Sequence, residues 1–243
     1  MPPIVFIFIV LSGTGYGQGP LIAVTESWPP FRINSEGTKF GFSGIDMDIL
    51  EGLEKELNIE IVVQRHPFAR ALEMIRTGEA DLTPGIARTE KRSLFIAYVP
   101  TSYYAVTPVF YTQKNHGHLV QTYNDLYTFK IGYSLHSAYF EPFNSDDKLQ
   151  KMGISTEEQL IKMVASGRID LIIGTNPNLA YDIKQYGFKD KVEEVRYRPD
   201  SDTPVYIGLS KKHENTELQQ KIDAYLKKIT ANGALNRILD QYK

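Results

Sequence analysis

The 243-residue chain contains no cysteine. That absence excludes disulfide bonds, thiol nucleophiles and zinc sites built from thiolates. It also leads us to expect no lipid-modified cysteine of the kind that anchors bacterial lipoproteins to a membrane. Binding or catalytic chemistry must therefore come from oxygen and nitrogen groups and from aromatic rings.

The chain also lacks an excess of either charge. It has 27 Lys and Arg against 29 Asp and Glu, which gives a formal net charge of −2. Binding to a nucleic-acid backbone relies on clustered basic side chains, so we expect no nucleic-acid partner. With 42% hydrophobic residues the sequence has enough apolar material for one large or two modest domains.

Long hydrophobic runs are scarce as well. The run from Ile4 to Leu11 is followed by small residues, which is typical of a secretory signal, and we assign residues 1–19 to it. The run is shorter than the roughly 20 residues that a bilayer span needs. The basic residue that usually precedes such a run is missing, and a buried N-terminal strand is the alternative. With export, we expect a soluble periplasmic protein.

Strand and helix patterns alternate along the rest of the chain. In the first half, apolar runs predict strands at 21–26, 59–64 and 81–86, separated by helices at 44–57 and 68–78. The second half repeats this alternation, with strands predicted at 129–134 and 169–173. Its helices are predicted to begin near Ser137, at a capping box of Ser155 and Glu158, and at Asn176 with Pro177. This alternation predicts an α/β fold with parallel strands.

Two similar phrases mark corresponding points of the two halves. "RTGEADLTPG" contains Gly78 and "ASGRIDLIIG" contains Gly167, and each indicates a helix end, a glycine and a strand. Ligands bind at the carboxyl ends of strands in open α/β sheets, so two such lobes facing each other would enclose a cleft. The same succession also arises by chance in unrelated α/β proteins.

Two extended segments are predicted to connect the halves. Residues 107–114 and 202–210 would cross between lobes and form a hinge, and two final helices, ending near Gly233 and Tyr242, would pack on the first lobe. The predicted organisation is a first lobe over 20–109, a second lobe over 110–202, and a return to the first lobe over 203–243.

Four segments of the sequence resemble the motifs of a known family. "SWPPFRI", "GFSGIDMDIL", "GEADLTPGIARTEKR" and "ANGALNRILDQY" stand in the order and spacing of family 3 solute-binding proteins, the periplasmic receptors of amino-acid ABC importers. The resemblance implies a two-lobe, type II binding protein without catalytic chemistry or cofactor. It also implies that the protein closes around a small carboxylate-bearing ligand and passes it to a membrane permease. We expect a monomer, because each chain would form one complete cleft.

The resemblance also assigns residues to a carboxylate site. "TEKR" places the family's carboxylate-binding arginine at Arg92, and a guanidinium matches a carboxylate with two parallel donors. A surface arginine in a charged helix turn is the alternative for this residue. Gly85 and Ala87 correspond to backbone N–H contacts on the first lobe, although the family usually has Ser or Thr at the second position. Ser137 and Ala138 would add N–H groups and a positive helix end on the second lobe.

Other positions have two interpretations each. Trp28 falls where the family has an aromatic residue against the ligand, and a core position is the alternative. The family's acceptor for the α-amino group is an Asp, and here that position is Thr175, so either another acidic residue substitutes or the ligand lacks the amine. Arg70 is either a second anion contact near the cleft mouth or a solvated helix residue paired with a neighbour.

Two further functions are alternatives to binding. The same fold is used by cyclohexadienyl dehydratases, which need a general acid, and His136 is the candidate that the sequence offers. A metal carrier would rest on His116 and His118, which lie in a polar loop without an evident third ligand. No residue pattern indicates a cofactor or a metal site, and the binding protein is the leading hypothesis.

Overall fold

The computed structural model describes residues 19–213 and 215–242, so the predicted signal segment lies outside it except for Gly19. The strands are β1 (Leu21–Thr25), β2 (Ile33–Asn34), β3 (Phe42–Ser43), β4 (Ile61–Arg65), β5 (Leu82–Ala87), β6 (Ile96–Tyr98), β7 (Tyr104–Gln113), β8 (Lys130–Ser134), β9 (Gln150–Ile154), β10 (Leu171–Asn176), β11 (Val192–Glu194) and β12 (Thr203–Ser210). The α-helices are α1 (Ile45–Leu57), α2 (Phe68–Thr77), α3 (Glu90–Ser93), α4 (Glu157–Ala165), α5 (Asn178–Gln185), α6 (Thr216–Ala231) and α7 (Ala234–Asp240). Short 3₁₀ helices cover Gly117–Leu119, Tyr123–Thr128 and Lys211–His213.

The strands form two lobes. In the first lobe the order is β4, β1, β5 and β12, with β6 also paired to β12. In the second lobe the order is β7, β10, β8 and β9, with β11 also paired to β7. Strand β1 runs parallel to β4 and β5, and β8 runs parallel to β9 and β10, as the alternating pattern predicts.

Strands β7 and β12 connect the lobes. Thr203–Val205 of β12 pairs with Tyr104–Val106 of β7, and the rest of each strand then continues into a different lobe. Both predicted crossing segments are therefore confirmed as strands, and the two-lobe architecture is confirmed with them. The residue boundaries assigned to the lobes remain predictions.

Helices cover the sheet in both lobes. In the first lobe one apolar cluster packs α1, α6 and α7 against the sheet, and a second packs α2. In the second lobe α4 and α5 cover one cluster, while the other is rich in aromatic rings such as Phe110, Phe140 and Phe143. Within residues 19–213 and 215–242, no helix combines the length and apolar character that crossing a membrane requires.

The predicted helix near Ser137 is absent, and this is the largest disagreement with the sequence analysis. The backbone after β8 turns at His136, whose φ of 65° lies in the left-handed region. The Ser137 N–H donates to the Ser134 carbonyl at 3.1 Å, so it closes this turn. Pro142 lies five residues on and would interrupt a helix begun at Ser137. The segment is therefore a series of turns.

Two other helices begin later than predicted. The cap of α4 is Thr156, whose hydroxyl accepts from the Gln159 N–H at 3.2 Å, so the predicted Ser155 capping box is wrong by one residue. Helix α5 begins at Asn178, because Asn176 still belongs to β10 and pairs with Thr107. Both shifts change which side chains stand at the first turn of their helix.

Several strands are not evident from the sequence. Strand β9 lies at the edge of the second lobe, and its residues are exposed or half-buried, so it lacks the apolar alternation that predicts a strand. Strands β2, β3, β6 and β11 have only two or three residues each. Such short elements leave no periodicity for the sequence to display.

Gly44 fixes the start of α1 against the loop that carries Trp28. Its φ and ψ are 120° and 175°, a combination that is essentially restricted to glycine. The next two N–H groups, of Ile45 and Asp46, donate to the carbonyls of Pro30 and Phe31 at 3.2 and 3.0 Å. A Cβ at Gly44 would lie 2.6 Å from the Pro30 carbonyl oxygen.

We therefore expect Gly44→Ala to lower the free energy of unfolding by at least about 2 kcal/mol, because it adds steric overlap to backbone strain. Urea unfolding measures this loss. Gly37→Ala is the matched control, since Gly37 has a φ of 81° but a Cβ there would meet no atom within 4 Å. It should cost about 1 kcal/mol. Equal losses in the two variants would contradict the structural role given to Gly44.

Candidate functional site

A cleft between the lobes brings together the carboxyl ends of strands from both of them. Its first-lobe wall includes Glu26 and Trp28 after β1, and Gly85 and Ala87 at the end of β5. Its second-lobe wall includes Ser134 at the end of β8, Thr175 near the end of β10, and the segment of Ser137, Ala138 and Tyr139. This is the arrangement expected of ligand sites in open α/β sheets.

Arg92 reaches across the cleft. Helix α3 begins after Thr89, whose hydroxyl accepts from the Arg92 N–H at 3.1 Å. The Arg92 guanidinium donates from Nη1 to the Ala87 carbonyl at 2.8 Å and from Nη2 to the His136 carbonyl at 2.6 Å. It also lies over the ring of Phe68, 5.2 Å from its centroid. Contacts on both lobes therefore fix its position.

The charge of Arg92 has no matching anion in the described parts of the chain. Arg92 is only 6% exposed, and burial lowers the pKa of its guanidinium. Within residues 19–213 and 215–242 it forms no ion pair with Asp or Glu. A buried guanidinium held by carbonyl groups is well suited to accept a carboxylate or another planar anion.

Gly85 and Ala87 support this arrangement from β5. The φ of Gly85 is 65°, and a Cβ there would lie 2.8 Å from the Asp46 carboxylate. That carboxylate is fully buried, paired with Arg32, and accepts from the Tyr103 hydroxyl at 2.5 Å. Ala87 holds Arg92 through its carbonyl, while the N–H contacts predicted for Gly85 and Ala87 remain predictions.

Trp28 lies at the cleft wall and is half-buried. Its ring stacks on Phe31 with the centroids 4.4 Å apart, and the Arg32 guanidinium lies 4.9 Å from its centroid. Phe31 is fully buried in the first-lobe core. Trp28 is therefore supported by the core and lies beside the Arg32 guanidinium at the cleft wall.

Ser137 and Ala138 also line the cleft, but not in the predicted way. Since no helix begins there, they present no helix dipole to an anion. The Ser137 N–H is already donated to the Ser134 carbonyl. The part of the prediction that relied on a positive helix end is wrong.

Thr175 is the first member of a hydrogen-bonded chain that leads to a carboxyl group. Thr175 is buried, and its hydroxyl donates to the Asn178 side-chain oxygen. The Asn178 amide nitrogen donates in turn to Glu157 Oε2 at 2.9 Å. Thr175 thus takes part in positioning an acidic side chain that itself lines the cleft.

Glu157 is the residue at the first position of α4, and sequence reasoning missed it. Burial is the main cause that raises its pKa well above the ordinary value, and the neighbouring Asp182 carboxyl, with which it is hydrogen-bonded, raises it further. Asp182 is 8% exposed, and burial raises its pKa to about 6. The two carboxyl groups therefore retain a proton more readily than exposed ones.

Glu26 is the second missed carboxyl group. It follows the last residue of β1, and its Oε2 accepts from the Phe68 N–H at 2.9 Å. Burial raises its pKa, against the lowering influence of that hydrogen bond and of Arg32. Among the residues that the structure describes, neither Glu26 nor Glu157 has a Lys, Arg or His within ion-pair distance. The cleft thus holds two carboxyl groups and a buried guanidinium.

Two predicted candidates lie outside the cleft wall. Arg70 is about half exposed on α2, which agrees with the interpretation as a solvated helix residue, but its partner is Glu79 and not the expected Glu73. The His136 side chain is exposed and only its carbonyl takes part, as the acceptor for Arg92. The suggested role of His136 as a general acid has no support in this geometry.

The sequence contains a signal for one of the two missed residues but not for the other. Glu26 follows a strand at its carboxyl end, which is a signal that the sequence does contain. Glu157 depended on the exact start of α4, and the predicted cap was one residue too early. A shift of one position on a helix turns a side chain by about 100°. The sequence pattern did not resolve that difference.

Comparisons with known proteins agree with this architecture. The sequence model of the family named bacterial extracellular solute-binding proteins, family 3, matches residues 21–243. The probable amino-acid-binding protein YxeM of Bacillus subtilis (strain 168) is 22% identical over 227 residues, covering 91% of this chain and 82% of that protein. The arginine-binding periplasmic protein of Mannheimia haemolytica is 24% identical over 229 residues, covering 91% and 90%.

A solved structure shows the same fold. It is the substrate-binding protein AbpA of an amino acid ABC transporter from Streptococcus pneumoniae, bound to L-arginine. The TM-score is 0.78 with 20% sequence identity, covering 92% of this chain and 94% of that one. At this identity the likeness establishes the two-lobe architecture and no more.

The buried carboxyl of Glu157 predicts a stability that depends on pH. When folding raises the pKa of a carboxyl group, the folded state loses stability as the pH rises. The loss develops between the pKa of the group in the unfolded chain and its higher pKa in the folded protein. Glu157→Gln should therefore stabilise the protein by about 0.5–2 kcal/mol at pH 8, with a smaller gain near pH 5. The amide can still accept from Asn178 and can donate to Asp182. Thermal unfolding at the two pH values measures the gain.

Glu158→Gln is the matched control for this experiment. Glu158 is adjacent on the same helix but is more exposed and pairs with Lys162. Its replacement should change stability by less than about 0.5 kcal/mol at either pH. An unchanged or lower melting temperature for Glu157→Gln at pH 8 would contradict the burial cost assigned to Glu157.

Proposed function

Because the chain belongs to the bacterial extracellular solute-binding proteins of family 3, we propose that it captures an amino acid in the cleft between its lobes. The captured ligand is delivered to an ABC importer in the inner membrane. The predicted signal segment would direct the protein to the periplasm, where it acts as a monomer without a lipid anchor and without a cofactor.

The distribution of charge in the cleft carries this proposal. Arg92 supplies a buried positive group without an anionic partner in the described residues, and Glu26 and Glu157 supply carboxyl groups without cationic partners there. An amino acid carries both a carboxylate and an ammonium group. Its carboxylate would be bound by Arg92, and its positive charge would be bound by the acidic side of the cleft, so each uncompensated group gains a partner.

The presence of two carboxyl groups favours a ligand with a second positive charge. One acidic group would accept the α-ammonium, and the other would accept a cationic side chain extending along Trp28 or Phe68. A guanidinium can stack on an aromatic ring while it donates to a carboxylate. Arginine, the ligand named for two of the proteins described above, has this chemistry, and we propose it as the first candidate.

Lobe closure is the expected mode of capture. The lobes are connected through β7 and β12, and they also contact each other through Arg92 with His136 and through Thr203, whose hydroxyl donates to the Tyr139 carbonyl at 2.5 Å. A ligand carboxylate at Arg92 would add a further link between the same two surfaces. Closure excludes water and strengthens each charge contact.

An enzyme on the same fold is the second candidate, and one observation favours it. A dehydratase acting on a prephenate-like acid needs a general acid, and burial raises the pKa of Glu157, so its carboxyl group holds a proton more readily than an exposed one. Incubation with prephenate or arogenate, followed by detection of the aromatic product, distinguishes the two functions. Product formation would replace the binding proposal, and its absence would support it.

Thermal unfolding with a set of related ligands tests the binding proposal. The protein is first unfolded and refolded to remove any bound solute. Saturating L-arginine should raise the melting temperature by about 5 to 10 °C at a hundred times Kd. Agmatine lacks the carboxylate, 5-guanidinopentanoate lacks the α-amine and L-citrulline lacks the cationic side chain, so each should give a smaller shift than L-arginine.

Two variants connect any shift to the cleft. Arg92→Ala should weaken L-arginine binding by at least about thirtyfold, because it removes a buried charge contact. Arg88→Ala removes a neighbouring arginine outside the cleft wall and should leave the affinity unchanged. A shift with agmatine as large as that with L-arginine, or full affinity in Arg92→Ala, would refute the role of Arg92.

A further inference from the structure

Glu157 and Asp182 form a pair of carboxyl groups at the second-lobe wall of the cleft. They are in hydrogen-bond contact, with Glu157 at the start of α4 and Asp182 in the middle of α5. Two ionised carboxylates can only accept hydrogen bonds, so a direct hydrogen bond between these two groups needs one shared proton. Glu157 lines the cleft, whereas Asp182 lies behind it and is not part of the cleft wall.

Other contacts hold the pair in a fixed geometry. Asn178, one turn before Asp182 on α5, donates to Glu157 at 2.9 Å and accepts from the Thr175 hydroxyl. The end of β10, the first turn of α4 and the first half of α5 therefore converge on the Glu157 carboxyl. Thr175 therefore contributes to holding a carboxyl group that lines the cleft.

We propose that Glu157 is the acceptor for the ligand's positive group and that Asp182 is a positioning residue that shares one proton with it in the unliganded protein. The cationic group of the ligand takes the place of this proton at Glu157, and the proton is released to solvent. This inference rests on the proposed function, because it concerns the same cleft and an amino-acid ligand.

The other titratable groups around the pair work in the same direction. Glu26 faces Glu157 from the first lobe and raises its pKa, and Glu158, on the same helix, raises that of Asp182. Burial raises the pKa of Tyr139, from the segment after β8, and of Tyr186 at the end of α5, and Glu157 raises both further. At Tyr186 the positive charge of Arg65 acts in the opposite direction. The surroundings of the pair are mainly acidic, so they favour retention of a proton until a cation arrives.

This exchange makes binding depend on pH in one direction. While the unliganded pair holds a proton that the complex does not, raising the pH favours the complex. Affinity for a cationic ligand should therefore increase from pH 6 to pH 8, by up to about tenfold per pH unit if a full proton is exchanged. A carboxyl that was already ionised before binding would give no such dependence.

Isothermal titration calorimetry with L-arginine tests the exchange. Titrations at pH 7 in phosphate and in Tris, whose ionisation enthalpies differ, give the number of protons released on binding. The wild-type protein should release between about half a proton and one proton. Asp182→Asn offers an amide donor to Glu157, which leaves Glu157 ionised before binding. That variant should release close to none and should bind with little change between pH 6 and pH 8.

Controls separate this role from a purely structural one. Glu73→Gln, at a partly exposed carboxyl group on α2 that pairs with Arg76, should release as many protons as the wild type. Asp182→Glu should restore the release that Asp182→Asn loses. L-arginine binding without proton release in the wild type, or with equal release in Asp182→Asn, would overturn the inference and leave the proposed function intact. Absence of L-arginine binding at every pH would overturn the proposed function, and the inference with it.

Discussion

The Arg92 guanidinium is held between the lobes by two carbonyl groups, Ala87 on the first lobe and His136 on the second. The rest of the cleft depends on this placement. A buried cation bound by neutral acceptors retains much of its desolvation cost. The end of β5, the Phe68 ring and the turn at His136 together keep this charge in a position where an anionic ligand can neutralise it. Folding therefore prepares a binding site at some cost to stability.

The acidic side of the cleft follows the same principle. Glu26 and Glu157 are carboxyl groups whose pKa values are raised by burial, and the described residues offer neither of them a cationic partner within ion-pair distance. Groups of this kind persist at functional sites because the surrounding structure holds them there. A zwitterionic ligand would compensate the charge of Arg92 and of the carboxyl groups at the same time. One small molecule could therefore stabilise the contact between the two lobes.

The sequence predicted the architecture well and the details of the second-lobe wall poorly. The alternating strands and helices and both crossing strands are confirmed, because apolar periodicity over long segments predicts them. Arg92 and Trp28 do line the cleft, as the sequence motifs that resemble those of the family predict. The Ser137 helix is wrong, because a left-handed residue at His136 and a proline at 142 outweigh local helix propensity. The role of Glu157 depended on a one-residue difference at the cap of α4, and apolar periodicity does not determine helix ends to that accuracy.

A crystal structure of the refolded protein soaked or grown with L-arginine would show how the cleft binds its ligand. We expect the ligand carboxylate to lie within about 3 Å of the Arg92 guanidinium and a ligand nitrogen to lie within the same distance of Glu157. Both lobes should contact the ligand. A ligand whose carboxylate lies away from Arg92, or that binds to one lobe outside the cleft, would refute the roles proposed for Arg92 and Glu157.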